Sequence, residues 1–270
     1  MRKNTKFAHS AAQLPMFKRD PFGHLVFLKR TLVCVIGWIT WFRYARYNKL
    51  IIEGTEHLKD LPPQGVLFIS NHQTYFADVI AMLHIFCAHK NGRQNSIARP
   101  VYLFRPRTNT YFVAAEETMR KGWLPRLFAY VGAIPVQRTW RQGSVDVKRQ
   151  VRMDDISNIG KALGDGWVIN FPQGTTKVYA QGRRGVTHLV KKYEPVVVPI
   201  VIDGFRRAFD KKGLRIKKKG VTLRIRFKPA MQLDLAQDAE HILHDMMEAI
   251  EQSPRYHWPR NTATEGSETK

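Results

Sequence analysis

The sequence predicts a single α/β domain with a mostly parallel central sheet flanked by helices, preceded by an N-terminal membrane-interfacial helical element. Near-continuous apolar runs of strand length, at residues 167–171 and 196–202, belong in a sheet that is covered on both faces. Segments with helical patterns separate such runs, and strands that alternate with helices are typical of α/β proteins. A length of 270 residues is enough to bury a substantial core and favours one domain.

The N-terminal part is predicted to contain two segments. Residues 1–24 are polar and basic, and we expect them to be flexible. Residues 25–49 are predicted to form a membrane-interfacial helix or helix pair, with an ordinary buried helix as the alternative. The apolar run at 32–42 is well short of the ~20 residues needed to cross a bilayer. Its tryptophans and flanking cations are typical of a helix at the level of lipid headgroups.

The α/β domain is predicted to cover residues 50–252, followed by a polar C-terminal tail at 253–270. The predicted strands lie at 50–54, 66–70, 111–115, 133–136, 167–171, 196–202 and 221–228. The last alternates strictly, which predicts one core face and one cationic face. The predicted helices lie at 78–88, 123–131, 151–163 and 239–250. The first of these is apolar nearly all round and should be buried.

The charge of the chain concerns its partners rather than its fold. Lys and Arg number 44 against 22 Asp and Glu, which gives a net charge of +22. Such a charge favours nucleic acid, an anionic membrane face, acidic carriers or phosphorylated ligands. The basic residues are spread along the chain and no nucleic-acid module is recognised, so nucleic acid is the least favoured of these. A dense cationic stretch at 206–219 is either a solvated surface or a seat for anionic lipid or an acidic acyl carrier.

Two groups of reactive residue types have simpler interpretations. Cys34 and Cys87 lie in apolar surroundings and are interpreted as buried free thiols in a reducing compartment. His241 and His244 share a helix face beside Glu240, but they lack the further ligands that a metal site needs. We therefore expect no metal and no cofactor.

The most informative motif is NHQTYFAD at residues 71–78, directly after the strand predicted at 66–70. α/β proteins tend to place their chemistry at the carboxyl ends of strands. The motif would place His72 there as a general base and Asp78 as the acid that orients it. Such a base would deprotonate a hydroxyl so that it attacks a thioester.

Three further blocks follow in order: GAIPVQR at 132–138, FPQGTT at 171–176 and VVPI at 197–200. Together the four blocks resemble the glycerolipid acyltransferase family typified by bacterial 1-acylglycerol-3-phosphate acyltransferase, within the lysophospholipid acyltransferase superfamily. The resemblance covers about residues 50–203. It also implies a short N-terminal helical element in one leaflet, which matches the interpretation of 25–49.

The resemblance implies a role for each block. His72 would be the general base, with Asp78 fixing its tautomer and favouring the imidazolium. Acyl-CoA or acyl carrier protein would be the donor, and no cofactor would be needed. The residues expected to bind the acceptor are Asn71, Arg138, Gln173, Gly174, Thr175 and Lys177, and Pro199 is expected on the acyl-donor side.

The chain departs from the family pattern at three places. Five residues separate His72 from Asp78 where the family has four, and in a regular helix one extra residue rotates a side chain by about 100°. A looped start to the helix would restore the contact. Gln173 replaces the usual Glu, and Thr176 replaces the usual Arg. Loss of a guanidinium leaves the headgroup open between a phosphate and another group, such as a lyso amino-acid lipid.

The function predicted is transfer of a fatty acyl group from a thioester to the hydroxyl of a lysolipid at the cytoplasmic face of the membrane, in phospholipid biosynthesis. No G-x-S-x-G elbow is present, which favours direct attack over an acyl-enzyme. A lipid-binding relative with impaired catalysis is the alternative that the departures raise. A nucleic-acid-binding protein is supported by charge alone.

Overall fold

The structure, a computed structural model, describes residues 18–119, 123–137, 141–142, 145–146 and 153–256. Within them the strands are β1 Lys49–Glu53, β2 Val66–Ser70, β3 Thr110–Ala115, β4 Ala133–Val136, β5 Arg141–Gln142, β6 Val145–Asp146, β7 Trp167–Asn170, β8 Val196–Asp203 and β9 Thr222–Phe227. The α-helices are α1 Val26–Ala45, α2 Ala77–Lys90, α3 Glu116–Met119, α4 Trp123–Val131, α5 Met153–Asp165, α6 Gly185–Tyr193, α7 Phe205–Ala208 and α8 Ala239–Ala249. Short 3₁₀ helices lie at Thr55–Leu58, Pro100–Phe104 and Pro254–Tyr256.

Seven of the described strands form one sheet in the order β1-β9-β8-β2-β7-β3-β4. All neighbouring pairs in it are parallel except β8 and β9, which are antiparallel. The two-residue strands β5 and β6 pair separately as an antiparallel ribbon. The predicted α/β class with a mostly parallel sheet is therefore confirmed.

The strands in the middle of the sheet are those with continuous apolar sequences. Every residue of β2 and of β7 is buried, because helices cover both faces of the sheet. One hydrophobic cluster packs α1, α2 and α4 on one face, and a second packs α5, α6 and α8 on the other. β9 has the predicted two faces, with Leu223, Ile225 and Phe227 buried and Arg224 and Arg226 exposed.

The N-terminal element is one helix, α1, rather than a pair. Its buried face includes Val33, Gly37 and Tyr44, and a Cβ at Gly37 would lie 2.5 Å from Cδ2 of Leu103, so the Leu103 side chain packs directly on the helix backbone. The opposite face exposes Phe27, Leu28, Val35, Ile39 and Phe42. No described helix has both the length and the apolar character that a membrane span requires.

The described termini are more firmly held than the predicted boundaries suggest. Residues 1–17 and 257–270 lie outside the described residues. Asp20 is buried and accepts hydrogen bonds from the amides of Phe22 and His24, so the segment from residue 18 packs on the domain. Ser253 is also buried. Buried polar residues therefore lie close to both predicted boundaries, 24 and 253, and the boundaries themselves stay predictions.

Candidate active site

The site is built where the central strand β2 ends. Residues 71–76 form a loop between β2 and α2, and Asp78 lies in the first turn of α2. His72 is thereby placed at the carboxyl edge of a sheet, where the crevices of α/β proteins form. The side chain of His72 keeps 11% of its surface exposed, whereas that of Asp78 is fully buried.

His72 and Asp78 are in direct contact. Nδ1 of His72 lies 3.1 Å from Oδ2 of Asp78. The five intervening residues do not prevent this contact, because the segment before Ala77 is a loop and the rotation per residue of a helix does not apply to it. The extra residue is accommodated in the loop, as the looped alternative expects.

The carboxylate of Asp78 is satisfied by the same loop. Its Oδ2 also accepts from the backbone amides of Gln73, at 2.6 Å, and Thr74, at 3.0 Å. Its Oδ1 accepts from the hydroxyl of Thr74 at 2.7 Å. Every partner is a donor, which suits an ionised carboxylate and directs the Nδ1 hydrogen of His72 towards Asp78.

A segment far along the chain holds this loop in place. The amides of Tyr75 and Phe76 donate to the carbonyls of Lys211, at 3.1 Å, and Lys212, at 3.0 Å. Gly213 has a φ of 77°, and a Cβ at this position would lie 2.5 Å from the amide nitrogen of Ala77. Glycine is therefore needed both for the backbone conformation and for the close approach.

The other side of the His72 ring faces Phe171. The two rings stack with centroids 3.9 Å apart and planes inclined by 22°. Nε2 of His72 makes no hydrogen bond to any described residue. With Nδ1 protonated and held by Asp78, the lone pair on Nε2 is available to accept a proton from a ligand.

Asn71 joins β2 to β8 beyond the end of their pairing. Its side-chain nitrogen donates to the carbonyl of Ile202 at 2.9 Å, and its Oδ1 accepts from the amide of Ile202 at 2.8 Å. The residue is buried. Both polar atoms of Asn71 are therefore engaged within the protein, next to His72, and its predicted part in substrate binding stays a prediction.

Gln173 likewise supports the turn after β7. It is buried, and its amide nitrogen donates to the carbonyl of Ala180, at 2.9 Å, and to Oε1 of Gln252, at 3.2 Å. The predicted contact of Gln173 with the acceptor stays a prediction, since both bonds of its amide nitrogen go to groups of the protein. An amide suits this place better than the family's carboxylate, since an ionised carboxylate cannot donate to these two oxygens.

The remaining predicted site residues fall in three places. Gly174 has a φ of 60° and forms the predicted turn, with its amide donating to the carbonyl of Phe171 at 2.8 Å. The hydroxyl of Thr175 accepts from the amide of Lys177, whose side chain is exposed. Pro199 is buried in β8, paired in register with Ile69. Arg138 lies outside the described residues.

Sequence reasoning missed several residues that shape the site. Phe171 belongs to the third block, and its position directly before Pro172 was the available signal for the stacking partner of His72. Gly213 carried no local signal. Arg206 appeared only as one of many basic residues, yet Nη2 of its guanidinium donates to the carbonyl of His72 at 3.1 Å.

The fold and the site together define an α/β protein with a carboxylate-paired histidine at the carboxyl edge of a mostly parallel sheet. A family model described as Acyltransferase matches residues 49–203, and the chain belongs to this acyltransferase family. The matched range contains His72, Asp78, the turn after β7 and Pro199.

Comparison with solved structures finds a similar fold in the 1-acyl-sn-glycerophosphate (LPA) acyltransferase PlsC from Thermotoga maritima. The two chains are 13% identical, the likeness covers 87% of this chain and 81% of that one, and the TM-score is 0.49. No curated protein matches the sequence.

Proposed function

We propose that this acyltransferase moves a fatty acyl group from a thioester, acyl-CoA or acyl carrier protein, to the free hydroxyl of a lysolipid such as 1-acylglycerol-3-phosphate. The observation that carries the proposal is the contact of His72 with Asp78, which leaves Nε2 free at the open edge of the sheet. A histidine in this state is suited to remove a proton from a hydroxyl.

The reaction needs only proton transfers at His72 and attack at the thioester. The acceptor hydroxyl gives its proton to Nε2 as its oxygen bonds to the thioester carbonyl carbon. When the carbon–sulfur bond breaks, the leaving thiolate takes that proton back from the imidazolium. Asp78 stabilises the imidazolium in between, because its carboxylate accepts the Nδ1 hydrogen.

The surface next to the site supports a position on an anionic membrane, at its cytoplasmic face. The exposed apolar face of α1 adjoins a cationic loop, defined here as residues 211–219, since Nη1 of Arg43 donates to the carbonyl of Gly213 at 3.3 Å. Six basic side chains of the cationic loop are exposed, namely Lys211, Lys212, Arg215, Lys217, Lys218 and Lys219. Apolar area and cations side by side are what an anionic lipid surface binds.

The acceptor headgroup has a second candidate. Thr176 stands where the family pattern has Arg, so this position in the turn lacks a guanidinium that would bind a phosphate. A lyso amino-acid lipid is therefore a candidate acceptor in addition to lysophosphatidic acid. A lipid-binding protein with impaired catalysis is the remaining alternative, and it predicts binding to liposomes without acyl transfer to either acceptor.

Acyl transfer by the purified protein and by His72→Ala tests the proposal, with both acceptors and both donors. We expect the substitution to lower the rate about 10²- to 10⁴-fold in a protein that stays folded, since the loop amides that hold the Asp78 carboxylate remain in place. His241→Ala is the matched control, because His241 is an exposed histidine on α8. Equal rates for wild type and His72→Ala would reject the mechanism.

Vesicle binding tests the membrane position separately. We expect Ile39→Ser combined with Phe42→Ser to weaken flotation with anionic vesicles, because both side chains are exposed on α1. Neutral vesicles should bind the wild type more weakly than anionic ones. Equal flotation of wild type and variant would argue against α1 as the contact.

A further inference from the structure

Arg206 connects the two loops that form the candidate site. It lies in α7, just after β8, and Nη2 of its guanidinium donates to the carbonyl of His72 at 3.1 Å and also to the carbonyl of Thr176. The first carbonyl belongs to the loop with the base, and the second to the turn after β7. The guanidinium is therefore held between the base and the turn that the family resemblance places beside the acceptor headgroup.

The backbone of Arg206 is positioned by the same loops. Its amide donates to Oε1 of Gln73 at 3.3 Å, and Nε2 of Gln73 donates to the carbonyl of Ile202 at 3.1 Å. Gln73 thus ties the residue after His72 to the turn between β8 and α7. The direction of the Arg206 side chain follows from this fixed backbone.

The charge of Arg206 is not matched within the described part of the chain. The residue is half-buried, and no described carboxylate lies within ion-pair distance of it. Its neighbour Arg207, in contrast, pairs with Asp203 at 3.1 Å. Desolvation by burial lowers the pKa of Arg206, while Asp78 and Asp203 raise it. A partly desolvated arginine that bonds only to carbonyls retains donors and charge for an anion.

We propose that Arg206 binds the phosphate of a phosphate-ester substrate, and that it supplies from β8–α7 the guanidinium that Thr176 lacks in the turn after β7. This inference rests on the proposed acyl transfer. It extends that proposal by stating that the ligand carries a phosphate group. Guanidinium groups match phosphate oxygens with paired hydrogen bonds, whereas the hydroxyl of Thr176 offers one donor. The phosphate belongs either to the lysolipid acceptor or to coenzyme A.

Steady-state kinetics test the assignment with Arg206→Gln, Arg206→Lys and the control Arg207→Gln. With lysophosphatidic acid as acceptor, we expect Arg206→Gln to raise KM about 10- to 100-fold, the loss expected for hydrogen bonds to a charged group. The rise should be far smaller with uncharged monoacylglycerol. Arg206→Lys should restore part of the affinity, and Arg207→Gln should behave as wild type. An equal loss with both acceptors, together with an unchanged KM for acyl-CoA, would show a merely structural role and overturn the proposal.

Binding without turnover separates this inference from the proposed function. Inorganic phosphate, lysophosphatidic acid and coenzyme A are titrated calorimetrically into the His72→Ala variant, with and without Arg206→Gln. Loss confined to lysophosphatidic acid assigns the phosphate to the acceptor, and loss confined to coenzyme A assigns it to the donor. No loss with any of the three rejects the site. Arg206-dependent phosphate binding in a wild type that transfers no acyl chain would reject the proposed function alone.

Discussion

The two ends of the sheet each hold a buried carboxylate beside a basic side chain, and the two arrangements differ in what they leave free. At the carboxyl end, Asp78 holds Nδ1 of His72 and leaves Nε2 open to a ligand. At the amino end, Asp20 lies 3.4 Å from Nζ of Lys29. The ammonium of Lys29 also sits 4.0 Å from the ring centroid of Tyr111, whose hydroxyl donates to Asp165 at 2.6 Å.

The difference between the two pairs lies in the exposure and the partners of the basic side chain. Lys29 is 1% exposed, and its ammonium group interacts only with partners inside the described part of the protein. Burial lowers its pKa, while Asp20 and Asp165 raise it. The side chain of His72, in contrast, is 11% exposed. The carboxylate of Asp78, which holds it, accepts hydrogen bonds from two backbone amides of the loop. We therefore expect substitutions at the carboxyl end to change catalysis and those at the amino end to change folding.

The largest effect should come from Asp78→Asn. The substitution removes the negative charge that stabilises the imidazolium of His72, and its NH₂ group would stand where one carboxylate oxygen now accepts hydrogen bonds. We expect a rate about 10²- to 10⁴-fold below wild type in acyl-transfer assays. His72→Ala combined with Asp78→Asn should lose little more than His72→Ala alone. Additive losses would show that the two residues do not act as a unit.

The next effect should come from Lys29→Ala at the opposite end. The substitution leaves the carboxylate of Asp20 buried without its cation, which we expect to lower the free energy of unfolding by about 3–5 kcal/mol. Denaturant titration measures this, with the exposed Lys49→Ala as the control. Activity per folded molecule should be unchanged. A loss of activity at full stability would remove the distinction between the two ends.

A smaller effect is expected where the cationic loop approaches the loop at residues 71–76, which carries His72. Gly213→Ala and Gly220→Ala share the strain of a positive φ, at 77° and 73°, but only the Cβ at 213 would meet other atoms within 4 Å. We expect Gly213→Ala to cost about 1–3 kcal/mol more than Gly220→Ala in unfolding free energy, and to lower the acyl-transfer rate selectively. Equal behaviour of the two variants would show that this contact does not position His72.

The effect that is smallest at neutral pH separates His72 from a second histidine on the same side of the sheet. His84 bonds the hydroxyls of Thr40 and Tyr102, each at 2.9 Å, and burial lowers its pKa from 6.5 to about 3. Below pH 6.5 the unfolded chain binds a proton that the folded protein does not. We expect stability to fall by about 1.4 kcal/mol per pH unit as the pH decreases from 6.5 towards 3.

Urea titrations of wild type and His84→Gln between pH 4 and pH 6.5 measure this contribution as a difference in slope. His241→Gln is the control, because the hydrogen bond to Asp238 raises the pKa of His241, so its contribution is lost only above pH 6.5 and its slope in this range should match that of wild type. Parallel curves for wild type and His84→Gln would contradict a neutral buried His84.

Local sequence patterns were sufficient for most of the sheet. The predictions for residues 66–70, 123–131 and 133–136 match β2, α4 and β4 residue for residue, because apolar periodicity and turn residues act over a few neighbours. α6 was not predicted, since its sequence has a moderate apolar stripe and no N-cap side chain that bonds the helix. The strand order was also beyond local pattern, because it depends on pairing between distant segments.

The His72–Asp78 pair illustrates the same division. Adjacent residues identified His72 and Asp78, and both lie within the range that the family model matches, while their catalytic roles stay a prediction. Whether five intervening residues permit contact depended on the carbonyls of Lys211 and Lys212, which shape the loop from far along the chain. The same holds for Arg206, which reaches the carbonyl of His72 because β8 lies beside β2. Residue types and short-range periodicity are written in the chain, but the partners that orient a side chain come from long-range packing, and that arises only when the sheet assembles.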